Sequence, residues 1–413
     1  MQTKSFYFIL ALLITAAVSG CSGNSNAKSA DTSSSDTAQP APKVAGAPNT
    51  DYKPAFEGQT RIAKVKTAAS YKVEKIAEDL GIPWAIIPLP DGRLLMTEKT
   101  GYMNILGADG AVLKKITGFP KVNKGGQGGL LDVALDPAFK SNKTIYWSYS
   151  ENQGDNNLMA VAKGQLSEAD GSIKNPVVIF RATPALNSEL HYGSRMLFDK
   201  DGSLFVSTGE RSNLEGRKQA QWLNSGLGKI FKITKDGKPA AGNPFLNQAD
   251  AVPQIYSYGH RNPQGLDIHP VTGELWDAEF GPRGGDEVNL VKPGKNYGWP
   301  TITYGIEYGG EKVGDAIQQK EGMEQPVYYW DPVVSPSGMI FYSSDSMPEW
   351  KNNLFIACLS STQLVRLVIE NNKVTGEESL LSDKKERLRD VTQLNGKLYV
   401  VTDNGILFRV SKN

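Results

Sequence analysis

Histidine is the side chain best suited to abstracting a proton near neutral pH, and the chain holds three: His191, His260 and His269. His191 sits in NSELHYGSRMLF, closely followed by Gly193 and Arg195. His260 sits in SYGHRNPQG, and His269 in LDIHPVTGEL, just before a turn signal, where it reads as structural. Spacing alone does not choose between His191 and His260 as a base, and either also fits a structural hydrogen bond. Cationic candidates are Arg261, beside Asn262 and Pro263, and the pair Arg387 and Arg389 in KERLRDV. Residues two apart on a strand face the same side. The pair could therefore hold one anionic ligand through forked donors, although a solvated charge cluster is the simpler reading of DKKERLRD.

Two further segments bear on ligand chemistry. NKGGQGGLLD, from Asn123 to Asp132, is no dinucleotide fingerprint, because no βαβ unit surrounds it, and no P-loop, because no Lys-Ser/Thr follows. Its glycines permit close backbone approach to a ligand or strand and would present Gln127 from unusual backbone; a tight turn explains them as well. AEFGPRGGDEVNLVKPGKNYGWP, from Ala278 to Pro300, is rich in carbonyls and acids. It permits calcium, which prefers oxygen ligands, but carries no EF-hand spacing.

The elements that must position these residues read as strands. PDGRLLMTEKTG, SNKTIYWSYSE, DKDGSLFVSTGE, PVTGELWDAEFG, PEWKNNLFIACL and LNGKLYVVTDNG each combine a turn signal with an apolar β-forming run. Their leading apolar residues are Leu94, Ile145, Leu204, Leu275, Leu354 and Leu398, at intervals of 51, 59, 71, 79 and 44. Six such units across residues 57–413 leave room for four strands each, the pattern of a β-propeller. The unequal intervals keep an all-β sandwich as the alternative. A propeller offers a ligand site where loops gather at one end of its channel.

Lys+Arg is 45 and Asp+Glu 44, a balance that gives no reason to expect nucleic acid. Residues 1–20 read as a secretory signal: Lys4, an apolar run from Phe6 to Val18, then small residues. Val18-Ser19-Gly20-Cys21 looks like a bacterial lipobox, in which Cys21 would carry the lipid. Residues 21–56 hold few large apolar side chains and read as a flexible tether, leaving residues 57–413 as one domain. The expected location is the cell envelope, with membrane contact only through the anchor. The other cysteine, Cys358 in LFIACL, then has no partner and reads as a small buried hydrophobe. No Cys-x-x-Cys-His haem motif occurs, so electrons from any oxidation must leave to a separate carrier.

Together these segments resemble the soluble PQQ-dependent glucose/sorbosone dehydrogenase family, in its aldose sugar dehydrogenase branch. The resemblance runs from about Gly81 to the C-terminus. Its carriers are GIPWAIIPLPDGRLLMTEKTG, GGQGGLLDVALDPAF, HYGSRMLFDKDGSLFVSTGE, GHRNPQGL, EFGPRGGDEVNL, KNYGWP, SPSGMIFY, LRDV and LYVVTDNG. It implies a six-bladed β-propeller of four-stranded antiparallel blades, with pyrroloquinoline quinone (PQQ) and calcium at the channel mouth. By match, His191 takes the place of the base, and Arg261 stabilises charge on the reduced oxygen. Gln127, Arg261, Asn262, Arg387 and Arg389 match positions around the quinone and substrate. Gly281 and Pro282 match carbonyl ligands of the active-site calcium, and Glu287 and Tyr297 a second calcium site. The implied reaction is oxidation of an aldose sugar to a lactone, with electrons passed to an external acceptor by a monomer.

The sequence departs from the family pattern in three places. Ser360 and Ser361 stand where the family often has Lys, Leu190 stands directly before the base, and Gly209-Glu210 replaces Gly-Asp. A calcium-dependent propeller lactonase and a non-catalytic envelope binding propeller are the competing expectations.

Overall fold

A computed structural model describes residues 46–413. Six four-stranded antiparallel sheets form the blades of a propeller, so the expected fold is the observed one. The innermost strands are Pro83–Pro88, Leu130–Leu135, Met196–Phe198, Pro263–Ile268, Pro336–Phe341 and Leu388–Leu394. Each sequence repeat supplies the second strand of its blade: Leu94–Glu98, Thr144–Gln153, Leu204–Thr208, Leu275–Glu279, Leu354–Cys358 and Lys397–Thr402. The unequal intervals arise in the connections. The segment from Val291 to Tyr328 in the fourth blade, for example, crosses the site face without a long strand.

Hydrophobic clusters fill the spaces between neighbouring blades. Leu95 and Met103 of the first blade meet Trp147 and Leu130 of the second. Trp276 and Val288 of the fourth meet Ile356 and Val365 of the fifth. Cys358 lies fully buried in that second cluster, as a small apolar side chain would. Buried aspartates on innermost strands add a polar staple to the next blade. Asp132 accepts from Met196 N at 2.6 Å, Asp267 from Phe341 N at 2.6 Å, and Asp390 from Ile86 N at 2.7 Å. The last of these joins the sixth blade to the first.

Ring closure uses a strand that the repeat pattern does not show. Tyr71–Ala77 pairs with Leu407–Lys412 and becomes the outer strand of the sixth blade. The first described strand is thereby tied to the last, and Tyr71–Ala77 takes the outer edge of the blade.

The expected tether limit at residue 56 is too late. Asn49 binds Asp331 Oδ1 through its backbone N at 2.9 Å and its Nδ2 at 2.7 Å, and Thr50 binds Oδ2 through its N and Oγ1, each at 3.0 Å. A composition reading weighs apolar burial and overlooks such a polar clamp. The expected signal segment, Cys21 and the expected tether up to residue 45 lie outside the described residues. No helix among the described residues is long and apolar enough to cross a membrane.

Candidate active site

The loop from Ser188 to Ser194 enters the third blade and carries His191 in a left-handed backbone conformation, at φ 48°. Its path requires glycine at position 193, where φ is 65° and a Cβ would come within 2.7 Å of the Thr208 backbone. Asn262 holds this turn, its Oδ1 accepting from Gly193 N at 2.9 Å. Gln127 braces the loop from the second blade: its N donates to Glu189 O at 2.7 Å, and its Oε1 accepts from His191 N at 2.8 Å. The approach depends on Gly126, at φ 51°, where a Cβ would meet the Glu189 carbonyl at 2.5 Å.

His191 Nδ1 lies 2.6 Å from Glu210 Oε1. The carboxylate accepts, so Nδ1 carries the proton and Nε2 keeps its lone pair. Burial and the Arg261 guanidinium push the imidazole down to about 4, against the smaller upward pull of Glu210. The ring is therefore neutral at physiological pH and able to accept a proton. The longer Glu210 side chain, a departure from the family pattern, still reaches the ring.

His191 borders a cavity of about 450 Å³ at the channel mouth. Gln127, Arg387 and Arg389 border it too, with Lys99, Tyr308 and Asp403. Arg387 and Arg389 do face one side: their Nε atoms lie 2.9 and 2.7 Å from the two oxygens of Asp403. Arg389 also reaches Gln264 Oε1 at 3.3 Å.

Lys99 is the functional candidate that sequence reasoning missed. It follows the strand Leu94–Glu98, in the repeat segment TEKTG, where it looks like an ordinary turn lysine. Its Nζ donates to Gly126 O at 2.5 Å, and burial with Arg389 nearby lowers its pKa. Across the cavity, Ser335 Oγ and Ser360 Oγ lie 2.8 Å apart where the family often has Lys. Lys99 thus adds a positive charge from the first blade.

Other expected residues lie behind Phe280, which separates the cavity from a void of about 10 Å³. Arg261, Gly281, Glu287 and Tyr297 surround that void. Arg261 Nη1 donates to Gly281 O at 2.6 Å and Phe280 O at 3.1 Å, and the guanidinium lies 5.1 Å from the Trp299 ring centre. The Gly281 carbonyl expected to bind calcium therefore already faces a cation. Asp286 fixes this loop, accepting from Gly281 N, Val334 N and Ser335 N at 2.8, 2.8 and 2.6 Å. Asn262 and Pro282 border neither space.

An acidic cluster adjoins the void. His260 is fully buried, with Nε2 2.8 Å from Ser257 Oγ and Nδ1 3.1 Å from Glu279 Oε1. Asp277 Oδ2 lies 3.2 Å from the same Nδ1 and has no other donor. Burial opposes the charged ring, but Glu279 and Asp277 dominate together and push His260 up to about 9. Burial and Glu279 push the Glu287 carboxyl well above the usual range. His260 is thus a buried cation away from the cavity, which leaves His191 as the base candidate. His269 is structural, its Nδ1 accepting from Val271 N and Thr272 N in a turn.

Fold and site define a propeller whose channel mouth joins a neutral, carboxylate-oriented histidine to a patch of three cations. The chain belongs to the glucose/sorbosone dehydrogenase family, whose model matches residues 80–409. It is 40% identical over 349 residues to the aldose sugar dehydrogenase YliI of Escherichia coli K12, covering 83% of this chain and 93% of that protein. The crystal structure of the soluble E. coli aldose sugar dehydrogenase in its apo-form superposes with a TM-score of 0.80 at 39% identity, over 83% of this chain and all of that one. The PQQ-bound form of the Streptomyces coelicolor aldose sugar dehydrogenase gives 0.69 at 28%, over 84% and 99%.

Proposed function

We propose that this protein oxidises aldose sugars at the anomeric carbon to lactones, using PQQ and calcium, and passes the electrons to an external acceptor. The observation that carries the reading is the geometry of His191. Nδ1 is committed to Glu210, and the side chain borders a cavity of ligand size beside Lys99, Arg387 and Arg389.

The donor set suits a small, multiply anionic cofactor. Arg387 and Arg389 share one carboxylate, Asp403, so their combined positive charge exceeds it. With Lys99 they would hold the PQQ carboxylates through charge-assisted hydrogen bonds. When bound, PQQ polarised by calcium supplies the acceptor for hydride. His191 Nε2 takes the proton of the anomeric hydroxyl, and Glu210 stabilises the imidazolium that forms. Gln127 keeps the base in position through its bond to His191 N. Arg261 favours negative charge beside Gly281 and the base.

Calcium has support at two places. Gly281 and Pro282 offer backbone carbonyls, although Arg261 shares the first. Glu287, with Asp277 and Glu279, places three carboxylates near His260, and Asp277 Oδ2 and Asn289 Oδ1 lack hydrogen-bond donors. This fits a cation better than protein alone. Tyr297 would contribute through its carbonyl, because its hydroxyl is committed to Leu290 O at 2.7 Å and Lys292 N at 2.8 Å. The lactonase alternative needs acidic side chains converging in the channel, whereas the cavity's bordering carboxylate, Asp403, is paired with two arginines.

Reconstitution tests the reading. Chelator-treated apoprotein given PQQ and calcium is expected to reduce a dye in the presence of aldoses, and PQQ alone is expected to give no turnover. Full activity without any divalent ion would remove calcium from the mechanism. Failure to oxidise any aldose with both present would favour the non-catalytic propeller.

The envelope location is proposed on the lipobox and the tether. Exchanging Cys21 for Ser is expected to move the protein from the membrane to the soluble fraction, since lipid chains supply the anchoring. Equal distribution of both forms on fractionation would exclude the anchor.

A further inference from the structure

We propose that Arg211 is a positioning residue for the base: it clamps the strained loop that carries His191 and supplies a fixed positive charge beside the ring. The proposal rests on the assignment of His191 above. Arg211 is 1% exposed, yet no carboxylate pairs with it among the described residues. Its donors go instead to the His191 loop and to one neighbour. Nε donates to Leu190 O at 3.0 Å, Nη2 to Ser188 O, Nη1 to Asn157 O at 3.0 Å, and Nη2 also to Asn157 Oδ1 at 2.6 Å. The guanidinium lies 3.9 Å from the Tyr192 ring centre. Its backbone N donates to His191 O at 3.3 Å, and its carbonyl accepts from Ser188 Oγ. The forked head and the main chain of one residue thus hold Ser188, Leu190 and His191, and stack on Tyr192.

The turn that bears Arg211 is itself costly. Arg211 and Ser212 have φ of 71° and 53°, and across the interlock His191 and Ser194 have 48° and 88°. Left-handed conformations in non-glycine residues persist only where surrounding contacts over-determine them, and they gather at functional sites. Here the turn also aims the ring's partner, because Ser212 N donates to Glu210 Oε1 at 3.2 Å, the oxygen that meets His191 Nδ1. A buried cation with no ion-pair partner is expensive, and the carboxylate that acts on this one from a distance is Glu210, the partner of His191. A purely structural clamp could be built from neutral donors, whereas a cation here also favours the neutral imidazole. The charged groups acting on that ring are Arg261 and Arg211, which favour the neutral form, and Glu210, which opposes them.

With only three histidines in the chain, imidazole NMR of isotope-labelled apoprotein can resolve each titration, and a His191→Ala variant assigns the resonance. Arg211→Met is expected to raise the His191 titration midpoint and weaken the preference for the Nδ1–H tautomer. Arg211→Lys keeps the charge and loses the fork. Its midpoint is expected to stay near wild type, while kcat with PQQ and calcium falls by at least about tenfold, as for a displaced catalytic group. KM for the sugar and PQQ retention are expected to hold. A folded Arg211→Met protein with an unchanged midpoint and tautomer would overturn the proposal. If that variant does not fold, a wild-type kcat in Arg211→Lys overturns it instead. If the wild type oxidises no aldose, the functional reading fails separately, and the NMR of the Met and Lys variants still decides the role of Arg211.

Discussion

Replacing His191 with alanine is expected to lower aldose turnover by about 10²–10⁴-fold, the usual contribution of a positioned general base. PQQ retention should change little, because the cationic donors at the cavity are Lys99, Arg387 and Arg389 rather than the imidazole. Titration of the variant with PQQ, followed by turnover at saturation, separates the two effects. The pH profile adds a second check. A histidine held at about 4 stays neutral, and so active as a base, well below the ordinary midpoint. The wild-type rate should therefore persist below pH 6.5 and be lost only on further acidification, with no gain as pH rises through 7. Near-normal turnover in His191→Ala at saturating PQQ would end the assignment. His260 is a poor replacement, since it is fully buried and held protonated by Glu279 and Asp277.

How much of this was legible beforehand varied with the kind of interaction. The blades were visible because each second strand must bury an apolar run after a tight turn. Leu94, Leu204, Leu275 and Leu354 all open such strands and are buried. The closing strand Tyr71–Ala77 was not visible. It alternates partly exposed residues on an outer edge and carries no repeat signature. In the site, Arg387 and Arg389 were paired on an expectation of strand alternation, but Arg387 precedes the strand Leu388–Leu394 and a register shift falls at Arg389; the two meet through Asp403 instead. His191 and His260 could not be ranked by spacing, because their difference lies in partners at positions 210, 277 and 279, brought near only by the fold. Lys99 and Arg211 were missed for the same reason. Each sits in a loop where a charged residue ordinarily faces only water, and its contacts with Gly126 or with the His191 loop appear only in the fold.

Exchange of Arg195 for leucine is expected to give the largest loss of stability. Arg195 is buried near the channel axis, with Nη1 3.1 Å from Asp132 Oδ1, Nη2 3.4 Å from Asp390 Oδ1, and Nε donating to Gln264 O at 2.9 Å. Its guanidinium also lies 4.4 Å from the Trp84 ring centre. Removing the cation leaves two buried carboxylates unpaired, a change that costs about 3–5 kcal/mol. In a domain of this size the melting temperature should fall by roughly 4–6 °C. The deficit should depend on pH in a stated direction. Burial already raises Asp132 to about 6 and raises Asp390, with Arg195 opposing both shifts. Without Arg195 the folded state binds protons that the unfolded chain, with aspartates near about 3.9, releases. Removing Arg195 raises both carboxyls further, so the variant should lie closest to wild type below about pH 6, where Asp132 is protonated in both folded states, and fall further behind as pH rises above that value. Adding Asp132→Asn and Asp390→Asn should recover much of the loss and flatten the pH dependence, because amides carry no charge to desolvate. Thermal melts of the wild type, the single variant and the triple variant at pH 5 and pH 8 measure all three effects. A single variant within about 1 °C of wild type at both pH values would mean that the aspartates already stay protonated and that Arg195 serves the blades only through packing on Trp84.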